Sequence, residues 1–159
     1  MNIQSIDELL AHHPFFAGLD PKDLLFMRVA GCGRNVHFPE GMYILREGEP
    51  ADRFYIVREG RVALEIAAPS RGPIVLDTLG GGAVVGASWL FPPYRWRFDV
   101  RAVEPTSAVA LDAVCLREKC EEDPRLGYEL MKRMSGVLEE RLQSARMRLI
   151  DLYSHAGTG

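Results

Sequence analysis

The apolar residues of this chain change period twice, and that double change is the strongest constraint on its fold. Between Arg34 and Leu111 short β-prone runs alternate with glycine turns. On either side of that stretch the spacing is helical. Val62, Leu64 and Ile66 alternate with Ala63 and Glu65, a period of two, and Phe54-Tyr55-Ile56-Val57 is a continuous β-prone run. Glu59-Gly60 between them reads as a tight hairpin turn. Strand candidates fall at 34–38, 42–45, 53–58, 61–67, 73–78, 97–103 and 106–111. Short strands at this spacing predict a sandwich or jelly-roll barrel.

The flanks carry helix-start signals. Ser5 with Glu8 three residues on forms a capping box, and Pro14 stops that helix. Asp20-Pro21 supplies a cap and an N1 proline for a second helix, closed by Gly31 and Gly33. Asp112 caps a segment through Cys120, and Asp123-Pro124 opens a long helix to about Tyr153. The fold class is α+β, mostly β: an eight-stranded jelly-roll barrel (a double-stranded β-helix) with N-terminal helices and a long C-terminal helix. The divisions are 1–33 helical, 34–111 barrel, 112–153 helical and 154–159 a disordered tail.

The last helix bears an apolar stripe that includes Met131, Met134, Leu138, Leu142, Ala145 and Leu149. A helix of about 30 residues is ~45 Å long, more than a domain of this size covers alone. A homodimer contact through this helix is expected, the alternative being a helix folded back over its own barrel. Lys132, Arg133, Arg141, Arg146 and Arg148 are balanced by Glu129, Glu139, Glu140 and Asp151, which reads as a solvated helix surface.

Charge and composition exclude several functions. The chain has 159 residues and a net charge of −3, which argues against sequence-independent nucleic-acid binding. The longest uncharged stretch, Thr78 to Tyr94, is glycine- and proline-broken and shorter than the ~20 residues of a membrane span. No basic leader precedes Leu10, so a cytoplasmic protein is expected. Cys32, Cys115 and Cys120 read as unclustered, reduced, packed thiols. Gly81-Gly82-Ala83-Val84-Val85-Gly86 is followed by Ala87 where a phosphate loop needs lysine. His12, His13, His37 and His155 form no metal set. Ser88, Cys115 and Cys120 lack an evident base partner. No catalytic residue and no metal ligand is assigned, and the chain reads as a non-enzyme.

Pro39-Glu40-Gly41, Arg46-Glu47-Gly48-Glu49, Phe54-Tyr55-Ile56-Val57, Glu59-Gly60-Arg61-Val62 and Val100-Arg101-Ala102 fall where one known family has its markers. Over residues 14–150 the chain resembles the cyclic-nucleotide-binding domain of the catabolite-activator family and of kinase regulatory subunits. The resemblance implies a phosphate-binding cassette at 86–98: a Gly-Glu pair, a short helix offering N–H groups to a cyclic phosphate, and an arginine making a charge-assisted bond. Gly86 is present, but Ala87 stands at the position of the ribose-binding Glu. The arginine position is Arg97 counted from Gly86, and Trp96 counted back from Val100. Strand alternation puts Trp96, Phe98 and Val100 on one face and Arg95, Arg97 and Asp99 on the other, where Arg97 could pair with Asp99. A bulge near Pro93-Tyr94 would reverse this.

Two readings follow. In one, the candidate ligand-binding residues Gly86, Ala87, Ser88, Trp89, Arg95, Trp96 and Arg97 hold a cyclic nucleotide or another small anionic ligand, and the C-terminal helices carry the signal to a dimer or a separate effector protein. In the other, aromatics fill the pocket and the chain is a ligand-free dimerisation or interaction module. Ser88 is a helix cap or an anion contact. The family's transcription factors continue into a helix-turn-helix, for which the chain to Gly159 leaves no room, so no direct nucleic-acid contact is expected.

Overall fold

The computed structural model describes residues 5–29 and 32–156. Two helices come first, α1 (Ile6–His12) and α2 (Pro21–Val29), with a 3₁₀ turn at Pro14–Phe16 between them. Eight strands follow: β1 (Gly33–Phe38), β2 (Tyr43–Leu45), β3 (Arg53–Glu59), β4 (Val62–Ala68), β5 (Gly72–Leu79), β6 (Val84–Val85), β7 (Asp99–Ala102) and β8 (Thr106–Asp112). α3 (Ala113–Glu122) and α4 (Pro124–Ala156) close the chain. The helix starts follow their caps. The Ser5 side chain accepts from the Glu8 N–H, Asp20 from Lys22, and Asp112 from Cys115.

The strands form two antiparallel four-stranded sheets, β1-β8-β3-β6 and β2-β7-β4-β5. This is the jelly-roll barrel expected from the spacing of the strand candidates, with the pair Val84–Val85 as the strand that no sequence pattern marked. The core holds Phe54, Ile56, Val62, Val100, Val109 and Leu111, all essentially inaccessible. At about 25 cal/mol per Å² of apolar surface, burial on this scale is the main favourable contribution to folding. β3 is buried on both faces, as its unbroken apolar run requires. Phe54 meets the Phe15 ring at 6.0 Å and stacks on Trp89 at 5.0 Å.

Glu59-Gly60 is not a hairpin turn. β3 and β4 lie in different sheets, and the chain changes sheet between them. Gly60 has φ +106°, and a Cβ there would lie 2.5 Å from the Pro105 carbonyl oxygen. Two chain corners cross at this point, and only glycine lets them approach. The true hairpin joins β4 to β5, with Ala68 opposite Gly72.

α4 is 33 residues long and continues to Ala156, so the expected disordered tail is helical over its first residues. The remainder, 157–159, lies outside the described residues. So does Gly31, one of the two glycines expected to end α2; the other, Gly33, begins β1. Leu126, Leu130 and Met134 are fully buried in the domain's own core. Met134 is therefore not part of a dimer face, because the N-terminal half of α4 packs into the domain's own core beside α3, with Arg125 paired to Asp23 of α2 and Arg133 donating to the Phe15 carbonyl. Met131, Leu138, Leu142 and Leu149 are 38%, 41%, 51% and 54% exposed.

The cysteines are closer than their sequence separation suggests. Burial, the neighbouring Cys115 thiol and the nearby Asp112 charge push the Cys32 thiol up to about 12. Burial likewise raises Cys120 to about 11.

Candidate functional site

The segment after β6 is held from three sides. Gly86 has φ +97°, and a Cβ there would lie 2.7 Å from the Trp96 ring. Trp96 is buried beside Gly86 and Leu45. Its backbone N–H donates to the Glu49 carbonyl at 3.0 Å, and its carbonyl accepts from Gly48 at 2.9 Å. Tyr94 has φ +56°, an unusual value for a non-glycine residue, and its carbonyl accepts from Ala51 at 2.7 Å. Arg117 of α3 clasps the segment. It donates to the Ala51 and Trp89 carbonyls at 3.1 and 2.8 Å and lies over the Tyr94 ring.

This geometry sorts the expected site residues. Strand alternation does not govern 95–98, because β7 begins only at Asp99. Arg97 and Phe98 consequently line the same cavity. Arg97 does not pair with Asp99. The Asp99 carboxylate accepts from the Glu47 N–H at 2.8 Å and faces Arg46. Trp89 is completely buried against Phe54, so it is core and not a ligand surface. Arg95 donates to the Gly48 carbonyl at 2.9 Å and lies away from the cavity. Ser88 is not a cap: Ala87 takes the cap position of the Ser88–Leu90 turn, without a side-chain bond.

Ala87, Ser88 and Arg97 open onto a cavity of about 490 Å³. Its far wall is α4, through Leu138, Arg141 and Ala145. Leu64 of β4 and Leu76 and Asp77 of β5 complete it, with Phe91 and Phe98. Most of this surface is hydrocarbon. The exceptions are the Ser88 hydroxyl, the Asp77 carboxylate and two guanidinium groups, Arg97 and Arg141.

Arg141 is the residue that sequence reasoning missed. It looked like one cation of a balanced helix surface. The usable signal was spacing: Leu138, Arg141 and Ala145 are three and four apart and share one helical face. The structure places Arg141 half-buried, donating to the Val84 carbonyl. Burial lowers its pKa from the ordinary arginine value, opposed by the Asp77 and Glu140 charges, and it stays a cation at neutral pH. Two turns on, Arg148 pairs with Asp77 at 2.6 Å and donates to the Leu76 carbonyl. α4 is thereby fastened across the edge strand β5 and roofs the cavity.

A two-sheet barrel with the cavity between the post-β6 segment and the last helix is a recognisable arrangement. The sequence model of the cyclic nucleotide-binding domain matches residues 35–123, more than half the chain. This chain belongs to the cyclic nucleotide-binding domain family. The family is a regulatory binding domain, not an enzyme class. The domain is 29% identical over 147 residues to a CRP-like cAMP-activated global transcriptional regulator from Mycobacterium tuberculosis, covering 92% of this chain and 63% of that protein. It thus spans under two thirds of that relative's length. A structure described as a cyclic nucleotide-binding protein from Geobacter metallireducens is 29% identical, with a TM-score of 0.73, covering 82% of this chain and 92% of that one. The Thermus thermophilus catabolite activator protein is 26% identical, with a TM-score of 0.64, covering 89% and 63%. Among the described residues the domain has no helix long and apolar enough to cross a membrane, and no cluster of potential metal ligands.

Proposed function

We propose that this chain is a ligand sensor whose altered cassette binds a small anionic molecule, a cyclic nucleotide or another small anion, and whose C-terminal helices relay the occupied state. The carrying observation is the cavity that joins the cassette to α4. A ligand there touches both Arg97 of the cassette and Arg141 of the last helix. Different affinity in two positions of α4 is the physical requirement for signalling. The relatives' cAMP-activated description supports a nucleotide-sized ligand. The exposed apolar residues on the C-terminal half of α4 support a homodimer, with a separate effector protein as the further reader. A cytoplasmic setting fits this role.

Trp96 favours a second reading. Its ring occupies the space directly over Gly86, so part of the family's pocket is filled in this chain. On that reading the domain is a ligand-free dimerisation or interaction module. Calorimetric titration with cyclic AMP and cyclic GMP, beside tryptophan fluorescence, separates the two. The sensor reading expects micromolar binding, near −8 kcal/mol, weakened by Arg97→Ala. No heat and no fluorescence change at millimolar nucleotide removes the usual cyclic nucleotides and leaves a different anion or the module.

A further inference from the structure

Resting on the reading of this cavity as a ligand site, we infer that its preferred ligand is an amphipathic organic anion, a medium-chain acyl carboxylate, and not a ribose phosphate. The wall carries both kinds of group such a molecule needs. Two guanidinium groups reach it, Arg97 from the cassette and Arg141 from α4. Among the described residues neither Arg97 nor Arg141 is ion-paired with a carboxylate, and Arg141 spends one N–H on the Val84 carbonyl. Arg97 is exposed and Arg141 half-buried, and an entering carboxylate gives both guanidinium groups charge-assisted bonds. Most of the remaining lining is hydrocarbon: Leu64, Leu76, Phe91, Phe98 and Leu138. An alkyl chain satisfies that surface.

A nucleotide fits it less well. Its ribose hydroxyls need acceptors, and the residue after Gly86 is Ala87, a methyl group. The carboxylate on the wall, Asp77, is held by Arg148 at 2.6 Å. That leaves the Ser88 hydroxyl as the neutral polar side chain of the lining, and no amide to read the edge of a base. Polar groups buried without partners oppose binding.

The test titrates the intact chain with sodium decanoate below its micelle concentration, with 1-decanol and with cyclic AMP. Heat and tryptophan fluorescence are read together. Decanoate is expected to bind at least about tenfold tighter than decanol or cyclic AMP. Arg97→Gln or Arg141→Gln should weaken decanoate by about tenfold and leave decanol unchanged. Arg141→Lys, which keeps the charge, should retain most of the affinity and guards against misfolding as the cause. Ala87→Glu should shift preference from decanoate toward cyclic AMP. Tighter binding of cyclic AMP than of decanoate overturns the inference while leaving the sensor reading intact. Equal binding of decanoate and decanol, insensitive to either arginine, overturns it as mere hydrophobic adsorption. Silence from every probe overturns the inference and the sensor reading together.

Discussion

Gly86 and Trp96 are interlocked: the indole lies so close over the glycine Cα that a methyl group there would meet it at 2.7 Å. Gly86→Ala therefore suffers twice, from the left-handed backbone and from overlap with a large rigid ring. A destabilisation of about 1–3 kcal/mol is expected in urea unfolding. Trp96→Ala alone leaves a cavity and should lose about 3–5 kcal/mol. The double variant should lose clearly less than the sum, since removing the ring removes the overlap. Strict additivity would mean that the two residues do not share that space in solution.

Glu65 and Arg101 form a second coupled pair. Glu65 is 1% exposed, and Arg101 donates to its Oε2 at 3.0 and 2.7 Å, with the Tyr43 hydroxyl at 3.4 Å. Arg101→Met strands a buried carboxylate and should destabilise by about 3–5 kcal/mol. Replacing both, Glu65→Met with Arg101→Met, should recover most of that loss. Thermal melts of the three variants at one pH decide it.

The Cys32 thiol gives a pH dependence of definite sign. Its value rises from 9.0 to about 12 on folding. Below pH 9 both folded and unfolded chains hold the proton, and this contribution to stability is fully present. Between about 9 and about 12 the unfolded chain releases it first, so stability falls as pH rises through that window. Urea midpoints from pH 8 to 10.5 should decline more steeply in the wild type than in Cys32→Ala. Iodoacetamide at pH 8 should label Cys32 far more slowly than a free cysteine.

The two halves of α4 should respond differently to substitution. Met134→Ala empties a fully buried site and is expected to lose about 2–5 kcal/mol of stability. Leu149→Glu, at a position 54% exposed, should leave the fold intact and turn a dimer into a monomer in sedimentation equilibrium. A wild type that sediments as a monomer at all concentrations would remove the homodimer.

The elements were legible where short-range chemistry sets them. Ser5, Asp20 and Asp112 cap the helices they announce, and the run 54–57 is the doubly buried strand it resembles. What escaped depends on distant contacts. Gly60 looks like a hairpin residue, but its need for room comes from Pro105, across the sequence. Arg97 and Phe98 share a cavity because the chain is not yet a strand there, so alternation had nothing to act on. Arg141 reads as surface until β5 and β6 are placed beside it. Trp89 and Trp96 read equally as ligand platform or core, and only their depth beneath Phe54 and Gly86 distinguishes the two.

The fastening of α4 at Arg141 and Arg148 has a mechanical consequence. Eight further residues extend from Arg148 to Ala156, about 12 Å of rigid rod at 1.5 Å per residue. Pivoted near Arg148, a tilt of about 10° sweeps the tip through about 2 Å, roughly a helical register's worth of displacement at a contact. A change too small to disturb the barrel becomes, at the far end, large enough to mismatch a packed surface. In the proposed sensor the helix would serve as a lever whose short arm lies over the cavity.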